Sequence, residues 1–205
     1  MIFIDGSNFY HGLKENNIRT NINFQKFCDK LCGDRRLIQI HYYNVPLIQS
    51  VDPQNYQSQQ RFFDMLRKTP YLALHLGRFA KRSQEFRCPN PSCGESLSEL
   101  IIKCPKCLTE KNIKLPPFCV EKGVDVNIAT DMLSNAFDNT YDTAILVSED
   151  GDFVPVVREV KRLRKRVENA YFPQFPPTFL SQNCDRPLIS LNKDYIKECL
   201  LPKHF

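Results

Sequence analysis

No apolar run in this 205-residue chain approaches the ~20 residues that a membrane-spanning helix requires. The N-terminal stretch has no charged segment followed by a long apolar one, so no secretory leader is expected and a cytoplasmic, reducing location follows as the expectation. The G-x-x-x-x-G-K-[ST] loop that cradles nucleotide phosphates is missing. So are the G-x-S-x-G elbow of α/β-hydrolases and the glycine fingerprint of dinucleotide-binding folds. Internal repeats and low-complexity tracts are absent as well. These gaps argue against a membrane-spanning helix, a P-loop nucleotidase, a serine hydrolase of the elbow type and a nicotinamide-dependent dehydrogenase.

What remains has the composition of an ordinary globular domain, with 42% hydrophobic and 25% charged residues. The length suffices for one domain with a sizeable core and a small appendage. Hydrophobic periodicity divides the chain into alternating elements. Residues 1–5 read as a buried strand. A helix is expected over 23–33, with Asn23 as its N-cap and Gly33 as its stop. A β-rich stretch over 37–45 precedes a helix over 53–68 that opens on Pro53, and 72–79 reads as another strand. Further on, a helix over 124–137 carries an apolar stripe of Val124, Ile128, Met132 and Leu133. A buried strand over 143–148, a helix over 152–164 and a strand over 167–172 follow. The proline-rich segment 173–187 reads as a loop, and 188–201 as a short strand and a last helix. Strands alternating with helices predict an α/β fold, a mostly parallel central sheet flanked by helices on both faces.

Residues 87–117 break this rhythm and read as an insertion. Cys88 and Cys93, then Cys104 and Cys107, form two short knuckles. Nine cysteines in a chain without a leader point to metal before disulfides. Four thiolates at this spacing match a closed, structural Zn²⁺ site with no open position for chemistry. Cys119 could replace one ligand, whereas Cys28, Cys32 and Cys199 read as small core residues.

Four aspartates fall where strands end or a helix begins. Asp5 closes the run Ile2-Phe3-Ile4, Asp150 and Asp152 follow the apolar strand 143–148, and Asp125 opens a helix. Carboxylates at the C-terminal ends of strands in an open α/β sheet converge on one crevice. Clustered carboxylates repel, and a cation among them keeps them ionised. The pattern therefore predicts a divalent-metal site and phosphate chemistry. Asp131 follows Asp125 by about 600° of helical rotation, so it reads as a surface or supporting residue. A haloacid-dehalogenase-type phosphatase would need a second aspartate two residues after Asp5, where this chain has Ser7.

The segments Ile2-Phe3-Ile4-Asp5-Gly6-Ser7-Asn8, Lys122-Gly123-Val124-Asp125 and Ser148-Glu149-Asp150-Gly151-Asp152-Phe153 resemble the NYN family. That family is a branch of the PIN-like nucleases, and the likeness is to its LabA-like members. Its pattern usually has glycine where this chain has Glu149. The resemblance implies a PIN-like domain over 1–205 interrupted by the zinc-ribbon-like insertion 87–117. It implies Asp5, Asp125, Asp150 and Asp152 as catalytic carboxylates holding Mg²⁺ or Mn²⁺, with Asn8 as an accessory residue and RNA as substrate. PIN-like domains often pair, which makes a homodimer compatible with this reading. Hard cations take oxygen ligands and leave room for water and phosphate, the requirement of an in-line phosphodiester displacement. A non-catalytic RNA-binding or adaptor protein on the same fold is the competing expectation.

Basic residues flank the acidic set. Arg78, Lys81, Arg82 and Arg87 form one cluster; Arg158, Lys161, Arg162, Arg164, Lys165 and Arg166 form another. With Lys103 and Lys106 of the insertion, which is expected to overhang the crevice, they suit a polyanion held along its flanks.

Overall fold

The computed structural model describes residues 1–82, 86–88, 90–97, 99–114, 118–173 and 179–202, without the side chains of Lys81, Phe86, Lys114, Phe118 and Cys119. Two compact units emerge: Met1–Arg78 with Gly123–Phe205, and Phe79–Lys122.

The larger unit opens with β1 (Ile2–Asp5), α1 (Gly6–Glu15), α2 (Phe24–Cys32), β2 (Ile40–Asn44), α3 (Pro53–Arg67) and β3 (Leu72–Leu76). The smaller unit contributes β4 (Arg78–Arg82), β5 (Phe86–Arg87), β6 (Ser96–Leu97), β7 (Glu99–Lys103), β8 (Glu110–Lys114) and β9 (Phe118–Lys122). The chain then returns with α4 (Val124–Phe137), β10 (Thr143–Val147), a 3-10 turn (Gly151–Phe153), α5 (Val154–Arg162), β11 (Arg166–Tyr171), α6 (Phe179–Asn183), β12 (Asp185–Ser190) and α7 (Lys193–Lys197).

Six strands form one parallel sheet in the order β12-β11-β10-β1-β2-β3. The helices that cross between parallel strands must pack on its faces, so both faces are buried. On one face Ile2, Ile4, Ile40, Tyr42, Ile145 and Val147 meet Phe9, Leu13, Phe24, Phe27 and Phe63 from α1, α2 and α3 in a single cluster. Phe9, Phe24 and Phe27 pack ring on ring at 5.1 to 6.3 Å. Each such buried ring contributes roughly 1.5–3 kcal/mol. The opposite face carries the alternate residues Phe3, Asp5, His41, Tyr43, His75 and Leu146, and α4 covers part of it.

The caps follow their local chemistry. The Asn23 side chain accepts from the Lys26 amide, Gly33 takes a positive φ of 59° after Cys32, and Asp52 caps α3 with Pro53 in its first turn. Four details depart from the sequence expectations. Residues 72–79 are divided between β3 and β4. The stripe of α4 is Val124, Ile128, Met132 and Ala136, while Leu133, about 100° round the helix from Met132, is 37% exposed. Residues 151–153 form a 3-10 turn before α5 begins at Val154. The expected loop 173–187 contains α6 and the start of β12, and Pro187 is tolerated because β12 is an edge strand that needs no amide on its outer side.

The smaller unit is wider than 87–117 and consists of two-stranded pieces: β4 with β9, β5 with β6, and the antiparallel hairpin β7–β8. Among its described residues none is a buried hydrophobic, and Leu97, Ile101, Ile102 and Leu108 are exposed. Among the described residues no helix is long and apolar enough to cross a membrane.

Candidate active site

Asp5 is the last residue of β1 and the N-cap of α1. Its Oδ1 accepts the Asn8 amide at 3.1 Å, and its Oδ2 accepts the Ser148 hydroxyl at 3.2 Å. Gly6 is required beside it, because a Cβ there would lie 2.5 Å from the Tyr43 carbonyl oxygen and 2.6 Å from the Tyr42 ring. The turn after β10 is laced to the same point. The Asp150 amide donates to Ser148 Oγ at 3.2 Å, Asp152 donates its amide to Asp150 Oδ1 at 2.9 Å, and the Glu149 amide donates to Asn8 Oδ1 at 3.1 Å. Asp125 enters from the first turn of α4, after Gly123 at φ 91°. Asp5, Asn8, Asp125, Asp150 and Asp152 thus gather at the C-terminal edge of the sheet, as an open α/β fold prescribes.

The electrostatics match this convergence. Burial pushes the Asp5 carboxyl up to about 6, with the charges of Asp125 and Asp150 adding to the rise and the Asn8 amide and Ser148 hydroxyl opposing it. Asp125 is raised as well, by burial first and then by Asp150 and Asp152. Asp5 and Asp125 therefore feel the charges gathered around them. They are not closed into a tight chelate: among the described residues, the carboxylates bring no three oxygens within 4.8 Å of one another. An all-oxygen donor set, mutually repelling and loosely spaced, fits a hard divalent cation that keeps several of its own waters.

Two residues support the acidic set, the first with no signal in local sequence and the second at a departure from the family pattern. Asn169 on β11 is fully buried and donates to the carbonyls of Leu146 and Ser148 at 3.0 and 2.8 Å, while accepting the Ser181 hydroxyl at 2.7 Å. It thereby fixes the strand end from which Asp150 departs. Glu149, at the position where the family pattern has glycine, accepts the Phe172 amide at 2.6 Å, so its carboxylate ties the turn to the end of β11. Its carboxyl is raised by burial, with Phe172 opposing.

Asp131 joins a different group. Its Oδ2 accepts the Tyr43 hydroxyl at 2.8 Å and lies 3.6 Å from His75 Nδ1, while His41 Nδ1 faces His75 Nε2 at 3.0 Å. Burial holds His41 down to about 4. The signal for this cluster is the alternation His41, Tyr43 on β2 together with the register that sets Tyr43 beside His75.

The basic residues are placed less uniformly. Arg158 donates to Asn183 Oδ1 at 3.1 and 3.3 Å, and Arg162 pairs with Glu159 at 2.9 Å. A crossover helix runs antiparallel to its strands. Arg162 at the end of α5, and Arg164, Lys165 and Arg166 at the start of β11, therefore lie toward the sheet edge opposite Asp150. Lys161 pairs with Asp185 at 3.0 Å and Lys165 with Asp142 at 3.5 Å. Arg78, Arg82, Arg87, Lys103 and Lys106 are exposed, Lys103 pairing with Glu110 at 3.2 Å. The side chain of Lys81 lies outside the described residues.

In the smaller unit, Cys104 and Cys107 sit on a tight turn closed by the Leu108 amide to the Cys104 carbonyl at 2.9 Å. The Cys107 thiol is held down at about 7, by its hydrogen bond to the Thr109 hydroxyl first, then by the Thr109 backbone and the Cys104 side chain. The Cys93 amide closes a second turn onto the Asn90 carbonyl at 3.0 Å. No three of the described sulfurs lie within 4.8 Å of one another. The side chain of Cys119 is outside the described residues, while Cys28, Cys32 and Cys199 are buried as expected.

The NYN domain family matches residues 1–192. This chain belongs to the NYN family. The NYN domains are nucleases, and membership places the parallel sheet described above in the PIN-like superfamily. A crystal structure of a protein of unknown function from Vibrio parahaemolyticus shares the fold, with a TM-score of 0.59 at 21% identity over 94% of this chain and 92% of that one. No curated protein is significantly similar to this NYN chain.

Proposed function

We propose that this NYN protein hydrolyses RNA phosphodiester bonds with Mg²⁺ or Mn²⁺ held by Asp5, Asp125, Asp150 and Asp152. The observation that carries the reading is the convergence of these carboxylates at one strand-end edge, where burial first, and then the charges of Asp125 and Asp150, raise the carboxyl of Asp5. A bound divalent cation supplies an acidified water and neutralises charge that builds on a phosphodiester during in-line displacement. Asp5 is oriented for this task by the Asn8 amide and the Ser148 hydroxyl, and Asp150 is held on the same hydroxyl. Asn8 braces the turn through the Glu149 amide. An adaptor that only binds RNA gains nothing from carboxylates massed where phosphate approaches. Arg78, Lys81, Arg82, Arg87, Lys103, Lys106 and Arg158 are proposed to hold the RNA backbone, with Arg162, toward the opposite sheet edge, reaching only RNA that runs on past the acidic site; their charge reversal is expected to flatten the salt dependence of binding.

The decisive comparison sets the wild type against Asp150→Asn on a labelled RNA pool, with Mg²⁺, with Mn²⁺ and with a chelator. Cleavage by the wild type should require metal and fall at least 100-fold in the variant. Equal cleavage by both would sink the mechanism. Absence of Mn²⁺ binding by the wild type in a calorimetric titration would favour the adaptor. Cys88, Cys93, Cys104 and Cys107 are further proposed to bind a structural Zn²⁺. Two cysteine turns in a unit whose described residues bury no core support this, since metal binding is then folding energy. Cys104→Ser with Cys107→Ser should remove one equivalent of zinc from the purified protein.

A further inference from the structure

Two residues of the sheet face under α4 and one of α4 itself are potential ligands that the acidic site does not use. The ligand atoms of His41, His75 and Asp131 all lie within 4.8 Å of one another, closer together than any other trio of histidine, cysteine or carboxylate groups among the described residues. We propose that these three residues form a second metal site, for a borderline transition-metal ion of the Zn²⁺, Co²⁺ or Ni²⁺ class.

The rings of His41 and His75 are stacked side by side on neighbouring strands, 5.1 Å between centroids, with His41 Nδ1 and His75 Nε2 facing at 3.0 Å. Two imidazole nitrogens on one tetrahedral ion at ~2.0–2.1 Å each stand about 3.4 Å apart. The observed pair needs to open by only a few tenths of an ångström. Without a cation the two facing nitrogens share a single proton in one hydrogen bond. An ion between the rings lets both facing nitrogens present lone pairs.

Asp131 is the third donor. At 3.6 Å from His75 Nδ1 its oxygen is too far for a hydrogen bond, so the carboxylate is not spent on that ring. The Tyr43 hydroxyl, donating at 2.8 Å, holds the carboxylate in place, as hydrogen bonds to ligating carboxylates commonly do. His75 and Asp131 have side chains 30% and 31% exposed, which gives an ion and its waters a way in. Imidazole with carboxylate suits zinc, cobalt or nickel, whereas the all-oxygen crevice at Asp5 suits magnesium or manganese. The Asp5 neighbour on β2 is Tyr43, so the two sites share one sheet face and are chemically distinct.

The test is calorimetric titration of the chelator-stripped full chain with Zn²⁺ alone, in saturating Mg²⁺, comparing wild type, His75→Gln, Asp131→Asn, Asp150→Asn and Cys104→Ser/Cys107→Ser. His75→Gln and Asp131→Asn should each lower zinc affinity at one equivalent by at least tenfold. Loss of a different equivalent in the cysteine variant, and none in Asp150→Asn, assigns the site separately from the thiolates and from the crevice. Partly exposed His75 and Asp131 are chosen so that the variants fold. Zinc should also raise the melting temperature of the wild type more than that of His75→Gln. Unchanged zinc affinity in both His75→Gln and Asp131→Asn overturns the proposal, and so does loss of the same equivalent in Asp150→Asn.

Discussion

Asp5 must be ionised to hold a cation, in a place that favours its proton. Its carboxyl, at about 6 in the folded chain, stands near ~4 when exposed. Between those values the folded state binds more protons than the unfolded one, so this group's contribution to stability falls as pH rises through that window. The loss is about 3 kcal/mol at pH 7 in the metal-free protein, since each tenfold change in proton affinity is worth ~1.4 kcal/mol. Asp5→Asn should therefore abolish cleavage yet raise the metal-free melting temperature at pH 7, with the gain vanishing near pH 4. Thermal melts of both chains across that range check it, and a destabilised variant at pH 7 would contradict the electrostatic account. The same sign means that Mg²⁺ affinity should rise with pH up to about 6 and level off above.

At the scale of elements, the site depends on two turns held by residues outside them. Asn169 satisfies the carbonyls of Leu146 and Ser148 from the neighbouring strand. Asn169→Leu removes these donors from both carbonyls, at a cost of roughly 1–3 kcal/mol for each buried group that loses its bond. We expect a lower melting temperature and a reduced kcat with little change in KM, because the turn carrying Asp150 loosens while the RNA-binding surface is untouched. A kcat equal to wild type at full occupancy would argue that the turn is fixed by Ser148 and Asn8 alone. Much at this scale was legible in the sequence. Asn23, Gly33 and Pro53 marked helix ends because capping depends on residues within one turn. The stretch 173–187 was not legible, since α6 and β12 form by packing and pairing against a strand set by distant sequence.

For the whole molecule, the two units rest on different physics. The frame Met1–Arg78 with Gly123–Phe205 has a double-sided core, whereas Phe79–Lys122 has no buried hydrophobic among its described residues. Chelation of zinc should therefore expose amides of 79–122 to hydrogen exchange and protease while β1, β2 and β10 stay protected, and mass spectrometry resolves the two. Uniform exposure of both would mean that the thiols staple more than their own unit. The sequence by itself determined the alternation of strands and helices and the placing of Asp5, Asp125, Asp150 and Asp152 at element ends. Each of these is written in periodicity, composition or spacing along a few neighbouring residues. Only the tertiary structure decided that Asn169 carries the turn before Asp150, that α5 leads Arg162 away from the crevice, and that Asp131 meets Tyr43 and His75. Those outcomes depend on strand order and register, which bring together residues up to 88 positions apart and which no local pattern encodes.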